Sequence, residues 1–195
     1  MAYDRIELSD AELSEIEREQ YDALYFGTLI QREEISKRAV QALADRNCFR
    51  TIFCDVNLRT HCYDRESVEL CLQSATILKV SIEEEPLLRE LMGYLPNENT
   101  IRGIAVALCE AYPQLQIVIL TLGKDGSYAY SRKDESECFQ CAIGDRVVST
   151  VGAGDSFSAA WLTAYLSGEP MEKCMKKAAK ISGFVVAHAQ AVPLY

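Results

Sequence analysis

Short apolar runs alternate with longer segments whose apolar residues recur every three or four positions along the first two thirds of the chain. The runs have the length of buried strands, and the longer segments have the period of amphipathic helices. This alternation is typical of a parallel sheet covered by helices on both faces. It predicts strands over 21–29, 51–56, 76–80 and 117–122, and helices over 12–19, 32–46, 64–74, 83–92 and 100–112.

The pattern changes after residue 122. Two strands are predicted over 128–130 and 138–143, with a polar turn between them, and the helices 156–166 and 171–189 follow. The sequence has no internal repeat, no low-complexity segment and no linker long enough to divide it. With 195 residues, of which 49% are hydrophobic and 25% charged, one α/β domain over 1–195 is predicted.

Charge and hydropathy narrow the possible partners. The formal net charge of −9 argues against binding to nucleic acid or to anionic lipid. A small basic cluster formed by Lys173, Lys176, Lys177 and Lys180 is interpreted first as a solvated helix face, with phosphate attraction as the alternative. No apolar stretch reaches the length of about 18 residues that a membrane span needs, and the N-terminus lacks a secretory layout, which favours a cytoplasmic protein.

Eight cysteines raise the question of disulfides and metal sites. A chain with this many core residues and no export signal is expected to keep its thiols reduced. Cys138 and Cys141 have a CxxC spacing, but neither a second CxxC nor a histidine pair completes a zinc site, so structural thiols are predicted.

The sharpest motif is Thr-Val-Gly-Ala-Gly-Asp-Ser-Phe at 150–157. Its small residues let backbone N–H groups approach an anion, and the helix that follows adds donors and positive potential. Such a loop could hold a phosphoryl group while Asp155 accepts a hydroxyl proton as general base. The alternative is structural: Asp155 caps the helix and the glycines form a turn.

This motif resembles the signature of the PfkB (ribokinase-like) carbohydrate kinases, in particular their fructokinase-like branch. Four further segments are similar to family segments and occur in the same order, namely 21–29, ending Phe-Gly-Thr-Leu, 55–59 (Asp-Val-Asn-Leu-Arg), 79–84 (Lys-Val-Ser-Ile-Glu-Glu) and 121–127 (Thr-Leu-Gly-Lys-Asp-Gly-Ser). The resemblance implies a three-layer α/β fold with a mostly parallel central sheet. It also implies a kinase that transfers the γ-phosphoryl group of ATP, bound with Mg²⁺, to a small sugar such as fructose or a similar ketose or keto-acid.

The resemblance assigns roles residue by residue. Asp155 matches the base that deprotonates the sugar hydroxyl, and Glu84 matches the acid that orients hydrated Mg²⁺. The anion hole matches Gly152, Ala153 and Gly154. The nucleotide-binding positions match Thr121, Gly123 and Gly126, with Lys180 near a residue of the adenine pocket. Asp55, Asn57 and Arg59 are assigned to substrate or phosphate, although Arg59 could instead pair with an acid and Gly126 could only form a turn.

The sequence also departs from the family pattern. Ser149 replaces an Asp that helps many members bind a monovalent cation, so activation by potassium is not expected, and Ser81 replaces an Asn near the Mg²⁺–phosphate site. Family members are considerably longer, and this chain resembles only their C-terminal portion, without the N-terminal strands, the sugar-binding Gly-Gly motif or the β lid. We therefore expect an exposed sheet edge near 21–26, and a homodimer or other association through that edge.

Two alternatives to a sugar kinase remain open at this point. One is a nucleotide-binding module without catalysis, and the other is a truncated, inactive relative that acts as a scaffold. The intact Asp155 favours the kinase, whereas Ser81, Ser149 and the missing lid favour the alternatives.

Overall fold

A six-stranded sheet in the order β1–β2–β3–β4–β5–β6 forms the centre of the molecule. The structure is a computed structural model that describes residues 2–46, 48–144 and 146–193. Neighbouring strands are parallel from β1 to β4, and the pairs β4–β5 and β5–β6 are antiparallel. The strands are β1 (Ala23–Gly27), β2 (Thr51–Asp55), β3 (Ile77–Ser81), β4 (Ile117–Thr121), β5 (Ser127–Ser131) and β6 (Glu137–Gln140).

Seven α-helices accompany these strands in the described residues. They are α1 (Asp10–Glu19), α2 (Glu34–Ala44), α3 (Arg65–Ser74), α4 (Glu85–Met92), α5 (Ile101–Ala111), α6 (Ala153–Leu166) and α7 (Met171–Val186). Short 3₁₀ turns lie at Ala2–Arg5, Leu29–Gln31 and Gly123–Asp125.

Two apolar cores, one on each face of the sheet, produce the three layers that the sequence predicts. On one face, Leu78 and Leu120 pack with residues of α2, α3, α4 and α5. On the other face, Phe53 and Ile119 pack with α6 and α7 around Trp161, which is fully buried. Because successive side chains of a strand point to opposite faces, strands with both faces covered must be apolar throughout, as β2, β3 and β4 largely are.

The helix boundaries follow local sequence signals. The side chains of Asp64 and Thr100 accept hydrogen bonds from backbone N–H groups in the first turns of α3 and α5, as N-cap residues do. Pro86 occupies the first turn of α4, where its missing N–H group leaves no helical bond unmade. The start of the helix predicted over 64–74 is therefore confirmed to within one residue.

Several predicted boundaries differ from those observed. The strand predicted over 21–29 is shorter, because Thr28 adopts a helical backbone conformation and its hydroxyl donates to the Val56 carbonyl at 2.8 Å. The strand predicted over 138–143 ends at Gln140, and the last helix ends at Val186 rather than at residue 189. The helix predicted from residue 156 begins at Ala153, because Gly152 caps it with φ of 84°.

Strand β1 lies at one edge of the sheet and pairs with β2 alone. The predicted edge near 21–26 is therefore confirmed, and Tyr25 on this strand is 47% exposed. Within the described part of the chain, no helix has the length and apolarity that crossing a membrane requires.

Candidate active site

The loop that opens α6 presents unpaired backbone donors. Gly152 adopts a left-handed conformation, in which an added Cβ would lie 2.8 Å from the Ala191 carbonyl oxygen, so glycine is required there. The N–H groups of Ala153 and Ser156 are paired, with Thr150 and Gly152 carbonyls at 3.2 and 2.9 Å. Among the described residues, the N–H groups of Gly154 and Asp155 have no backbone acceptor. The Gly152 N–H group is open by the same criterion, so two of the three predicted donors, Gly152 and Gly154, are unpaired among the described residues, whereas that of Ala153 is not.

Asp155 lies in the first turn of α6, not at its cap. The N-cap is Gly152, which removes the alternative in which Asp155 merely caps the helix. Its side chain is exposed and borders a cleft of about 470 Å³ together with Tyr25, Asn57 and Arg59. A carboxylate in a first helical turn is stabilised by the positive end of the helix dipole. The cleft therefore brings together an ionisable acid, open amide donors and a basic side chain.

A buried polar cluster lies directly beneath this turn, and we call it the Lys79 cluster. The Lys79 ammonium contacts Asp55 Oδ2 at 2.6 Å, and the Ser158 hydroxyl donates to the same oxygen at 3.0 Å. Tyr25 contributes its hydroxyl, 3.5 Å from Asp55 Oδ2. Ser158 Oγ also lies 3.0 Å from the Gly154 carbonyl oxygen, which joins the cluster to α6.

Burial dominates the electrostatics of this cluster. It raises the pKa of Asp55, although the nearby Lys79 ammonium and the Ser158 hydroxyl act in the opposite direction. Burial, together with the negative charge of Asp55, also raises the pKa of Tyr25, so this phenol stays protonated at neutral pH. Asp55 was predicted to contact substrate or phosphate. It is 95% buried and paired with Lys79 and Ser158, and it also lines the cleft, so its contact with substrate or phosphate stays a prediction.

The loop after β2 is held by Glu84. The Leu58 N–H group donates to Glu84 Oε1 at 2.5 Å, and the Ser81 N–H group donates to Oε2 at 2.9 Å. The Ser81 hydroxyl in turn accepts from the Glu84 N–H group at 3.2 Å. Glu84 therefore ties the 55–59 loop to the end of β3, a structural task that the sequence did not indicate.

Arg59 and Asn57 project from the same loop toward the cleft. Asn57 has a positive φ of 47°, a conformation that Asn tolerates better than most residues. The Arg59 guanidinium donates to Asn57 Oδ1 at 3.4 Å and forms no ion pair within the described residues. The alternative in which Arg59 pairs with a neighbouring acid is therefore not what the structure shows.

The predicted nucleotide-binding residues form a turn at the end of β4. Thr121 closes the strand, and Gly123 and Gly126 have positive φ values of 58° and 117°. A Cβ at Gly126 would overlap the Gln140 carbonyl oxygen at 2.1 Å, so this turn fits only glycine. Lys180 is exposed on α7, the helix that packs against β5 and β6, while Lys173 and Lys177 of the same helix pair with Glu169.

Glu84 meets the chemical requirement for an outer contact to hydrated Mg²⁺. Each carboxylate oxygen accepts one backbone N–H group and keeps a further acceptor position. Mg²⁺ retains several waters in most protein sites, and a carboxylate can bind those waters. Among the described residues no group of three or more His, Cys, Asp or Glu side chains could enclose an ion, so the remaining ligands would be water and phosphate.

Sequence reasoning missed Lys79, Ser158 and Tyr25. A signal existed for Lys79: it interrupts an otherwise apolar buried strand, and a buried lysine requires a partner. No comparable signal marks Ser158, which lies among small residues of α6.

Comparison with known proteins matches the chain to one family. The model of the pfkB family carbohydrate kinases matches residues 3–194. A 5-dehydro-2-deoxygluconokinase of Halalkalibacterium halodurans is 27% identical over 171 residues, covering 84% of this chain and 49% of that enzyme. The enzyme of the same name from Listeria monocytogenes serotype 4a is 37% identical over 75 residues, or 38% of this chain and 22% of that protein.

A solved structure agrees with the fold. Aminoimidazole riboside kinase from Salmonella enterica, complexed with aminoimidazole riboside and an ATP analogue, superposes with a TM-score of 0.72 at 22% identity. The superposition covers 88% of this chain and 58% of that one, so this chain spans about half the length of the Salmonella and Halalkalibacterium kinases. The fold is therefore ribokinase-like, and the chain belongs to the pfkB family of carbohydrate kinases.

Proposed function

We propose that this chain carries the phosphoryl-transfer half of an ATP-dependent sugar kinase. The observation that supports this most directly is the exposed Asp155 carboxylate beside the open N–H groups of Gly154 and Asp155. A general base and an anion-binding turn are the two parts that transfer of a phosphoryl group to a hydroxyl needs.

The reaction would proceed by in-line displacement. Asp155 takes the proton of the sugar hydroxyl, whose oxygen attacks the γ-phosphorus of ATP as the bond to the β-phosphate oxygen breaks and ADP leaves. Negative charge spreads over the equatorial oxygens of the transferring group. The open N–H groups at 154 and 155 are suited to that charge, because fixed donors need no reorganisation during the reaction.

Nucleotide binding is assigned to the turn containing Thr121, Gly123 and Gly126, with Lys180 nearby on α7. Gly123 and Gly126 have no side chain, so a ligand can approach the backbone of this positive-φ turn closely. Glu84 would hold Mg²⁺ through water, and the ion would neutralise phosphate charge. With Ser149 in place of the family's Asp, we propose no role for a monovalent cation.

For the acceptor we propose a ketose or keto-sugar acid, with fructose as the reference substrate. The relatives named above are 5-dehydro-2-deoxygluconokinases, whose substrate by name is a keto acid. Arg59, which faces the cleft without an ion pair in the described residues, is placed to bind a sugar carboxylate or a phosphate.

The second candidate is a nucleotide-binding module without turnover. It is favoured by Ser81 and Ser149, which replace polar residues of the family pattern, and by the partial span of the match. Asp155 distinguishes the two candidates, because a module that only binds nucleotide does not need a base in the cleft.

The test is a coupled ADP-release assay with fructose and with 5-dehydro-2-deoxygluconate. For these 195 residues alone we expect turnover near background, because the match spans only half of its relatives and water is not excluded from the cleft. Joined to the portion of a relative that the match does not cover, the chain should phosphorylate the sugar. In that joined protein, Asp155→Asn should lower the rate by about 10²–10⁴-fold while nucleotide still binds.

Asp134→Asn is the matched control. It makes the same chemical change in an exposed turn where Asp134 bonds to Ser136, away from the cleft, and should leave the rate unchanged. Full activity of Asp155→Asn would remove Asp155 from the mechanism. Nucleotide binding without turnover in the joined protein would favour the second candidate.

A further inference from the structure

Lys79 is a charged residue in the interior of a central strand, and the proposed chemistry gives it no task. It is only 5% exposed, and it lies on β3 between β2 and β4, whose side chains are mostly apolar. Its ammonium is 2.6 Å from Asp55 Oδ2, and Asp55 is buried to the same degree. Apolar residues of similar volume would fill this space at least as stably, because a buried ion pair loses the hydration of both charges.

The position of this pair explains why a polar cluster occurs here. A Cβ added to Gly154 would lie 3.5 Å from Lys79 Nζ, so the ammonium sits directly under the first turn of α6. Ser158, one turn further along the helix, bonds to Asp55 Oδ2 and lies 3.0 Å from the Gly154 carbonyl oxygen. The Lys79 cluster thus connects β2 and β3 to the turn that carries the open donors and Asp155.

We propose that Lys79 is a positioning residue for phosphoryl transfer: through Asp55 and Ser158 it fixes the first turn of α6 so that the Gly154 and Asp155 N–H groups and the Asp155 carboxylate face the γ-phosphate. This inference rests on the proposed function. It requires that β2 and β3, which are paired with each other and buried, define the orientation of the helix terminus. Hydrogen bonds and a short ion pair are directional, so they fix the orientation of α6 relative to the strands. Apolar contacts are not directional and constrain that orientation less.

The variants must separate positioning from simple stability. Lys79→Met alone leaves the Asp55 carboxylate buried and unpaired, which is strongly destabilising. The informative variant is therefore Lys79→Met combined with Asp55→Asn, which removes both charges; Asn matches Asp in size, and Met is an unbranched side chain one atom shorter than Lys. Ser158→Ala is the second variant, because it cuts the connection to α6 and leaves the ion pair intact.

The first readout is the affinity for AMP-PNP relative to ADP, both with Mg²⁺, measured by calorimetry. Only AMP-PNP carries a γ-phosphoryl group for the α6 turn, so the ratio of the two affinities reports that turn. We expect the double variant to reduce the ratio by about tenfold, the effect of misplacing one hydrogen bond to a charged group, with ADP affinity unchanged. Ser158→Ala should reduce it in the same direction.

The second readout is hydrogen exchange of the amides at 153–158, which needs no ligand. Faster exchange there in the double variant, with the melting temperature close to that of the wild type, supports positioning. Glu85→Gln is the matched control, since Glu85 on α4 is also a buried carboxylate, and it accepts hydrogen bonds from Arg89 on the same helix and from Tyr94 just beyond it. It should alter neither the affinity ratio nor exchange at 153–158.

The outcomes are distinguishable. An unchanged affinity ratio and unchanged exchange in both variants would overturn the role of Lys79. An equal reduction of the affinity ratio in Glu85→Gln would show that the effect comes from general destabilisation, and it would also overturn the positioning role of Lys79. If the wild type binds neither nucleotide, the proposed function fails, and unchanged exchange at 153–158 would then refute the positioning role separately.

Discussion

Gly183, inside α7, offers a test in which two physical effects oppose each other. Replacing a glycine within a helix by alanine normally stabilises the helix by up to about 1 kcal/mol, because glycine loses more backbone entropy on folding. A Cβ at Gly183, however, would lie 1.8 Å from the Ile143 carbonyl oxygen and 2.9 Å from its carbonyl carbon. Both neighbours are backbone atoms, so relief requires the helix or the 143–144 segment to move.

The clash should outweigh the helix propensity. Overpacking against a rigid neighbour costs about 1–3 kcal/mol, so we expect Gly183→Ala to lower the free energy of unfolding by about 1–2 kcal/mol in total. In a protein of this size, each 1 kcal/mol changes the melting temperature by about 2–4 °C. The segment that must move, 143–144, follows β6 and lies against α7, the helix that carries Lys180. Because Lys180 is proposed to lie near the nucleotide, nucleotide affinity should fall as well.

Gly154→Ala is the comparison for thermal unfolding, because Gly154 is also helical and its added Cβ would meet only Lys79 Nζ, at an ordinary contact distance of 3.5 Å. Its melting temperature should equal or exceed that of the wild type, whereas that of Gly183→Ala should fall. A rise in both variants would refute the close approach of α7 to Ile143. A fall in both would show that helix propensity has no measurable weight in either helix.

Two further predictions concern association and thiol chemistry. The outer edge of β1 has no neighbouring strand and lies beside an apolar cleft, so the chain should dimerise or self-associate. Light scattering over a dilution series would show this association, and a monomer at high concentration would contradict it. Burial raises the pKa of Cys109 to about 11, so at pH 8 its thiol is protonated and iodoacetamide should label the exposed Cys141 first. Mass spectrometry of the modified peptides would detect the order, and early labelling of Cys109 would contradict its burial.

The layers of the fold were predictable because they depend on burial alone. A strand with both faces covered has no polar alternation, and β2 and β4 show this pattern without further information. Helix starts were predictable where a side chain caps the helix, as at Asp64. They were missed where the backbone does the capping: Gly152 opens α6 through its left-handed conformation, and a glycine in a sequence does not reveal its φ.

The candidate site divides in a similar way. Residues that meet the ligand, such as Asp155, belong to a contiguous motif whose residue types already suggest their chemistry. The groups beneath them come from three strands and a helix, and separations such as the 103 residues between Asp55 and Ser158 leave no local pattern. Asp55 shows the consequence: the resemblance assigned it to substrate or phosphate as part of the 55–59 segment, whereas its ion pair with Lys79 becomes visible only in the fold. Lys79, Ser158 and Tyr25 all contact Oδ2 of Asp55, so this oxygen supports the first turn of α6, and the contact of Asp55 with substrate or phosphate stays a prediction.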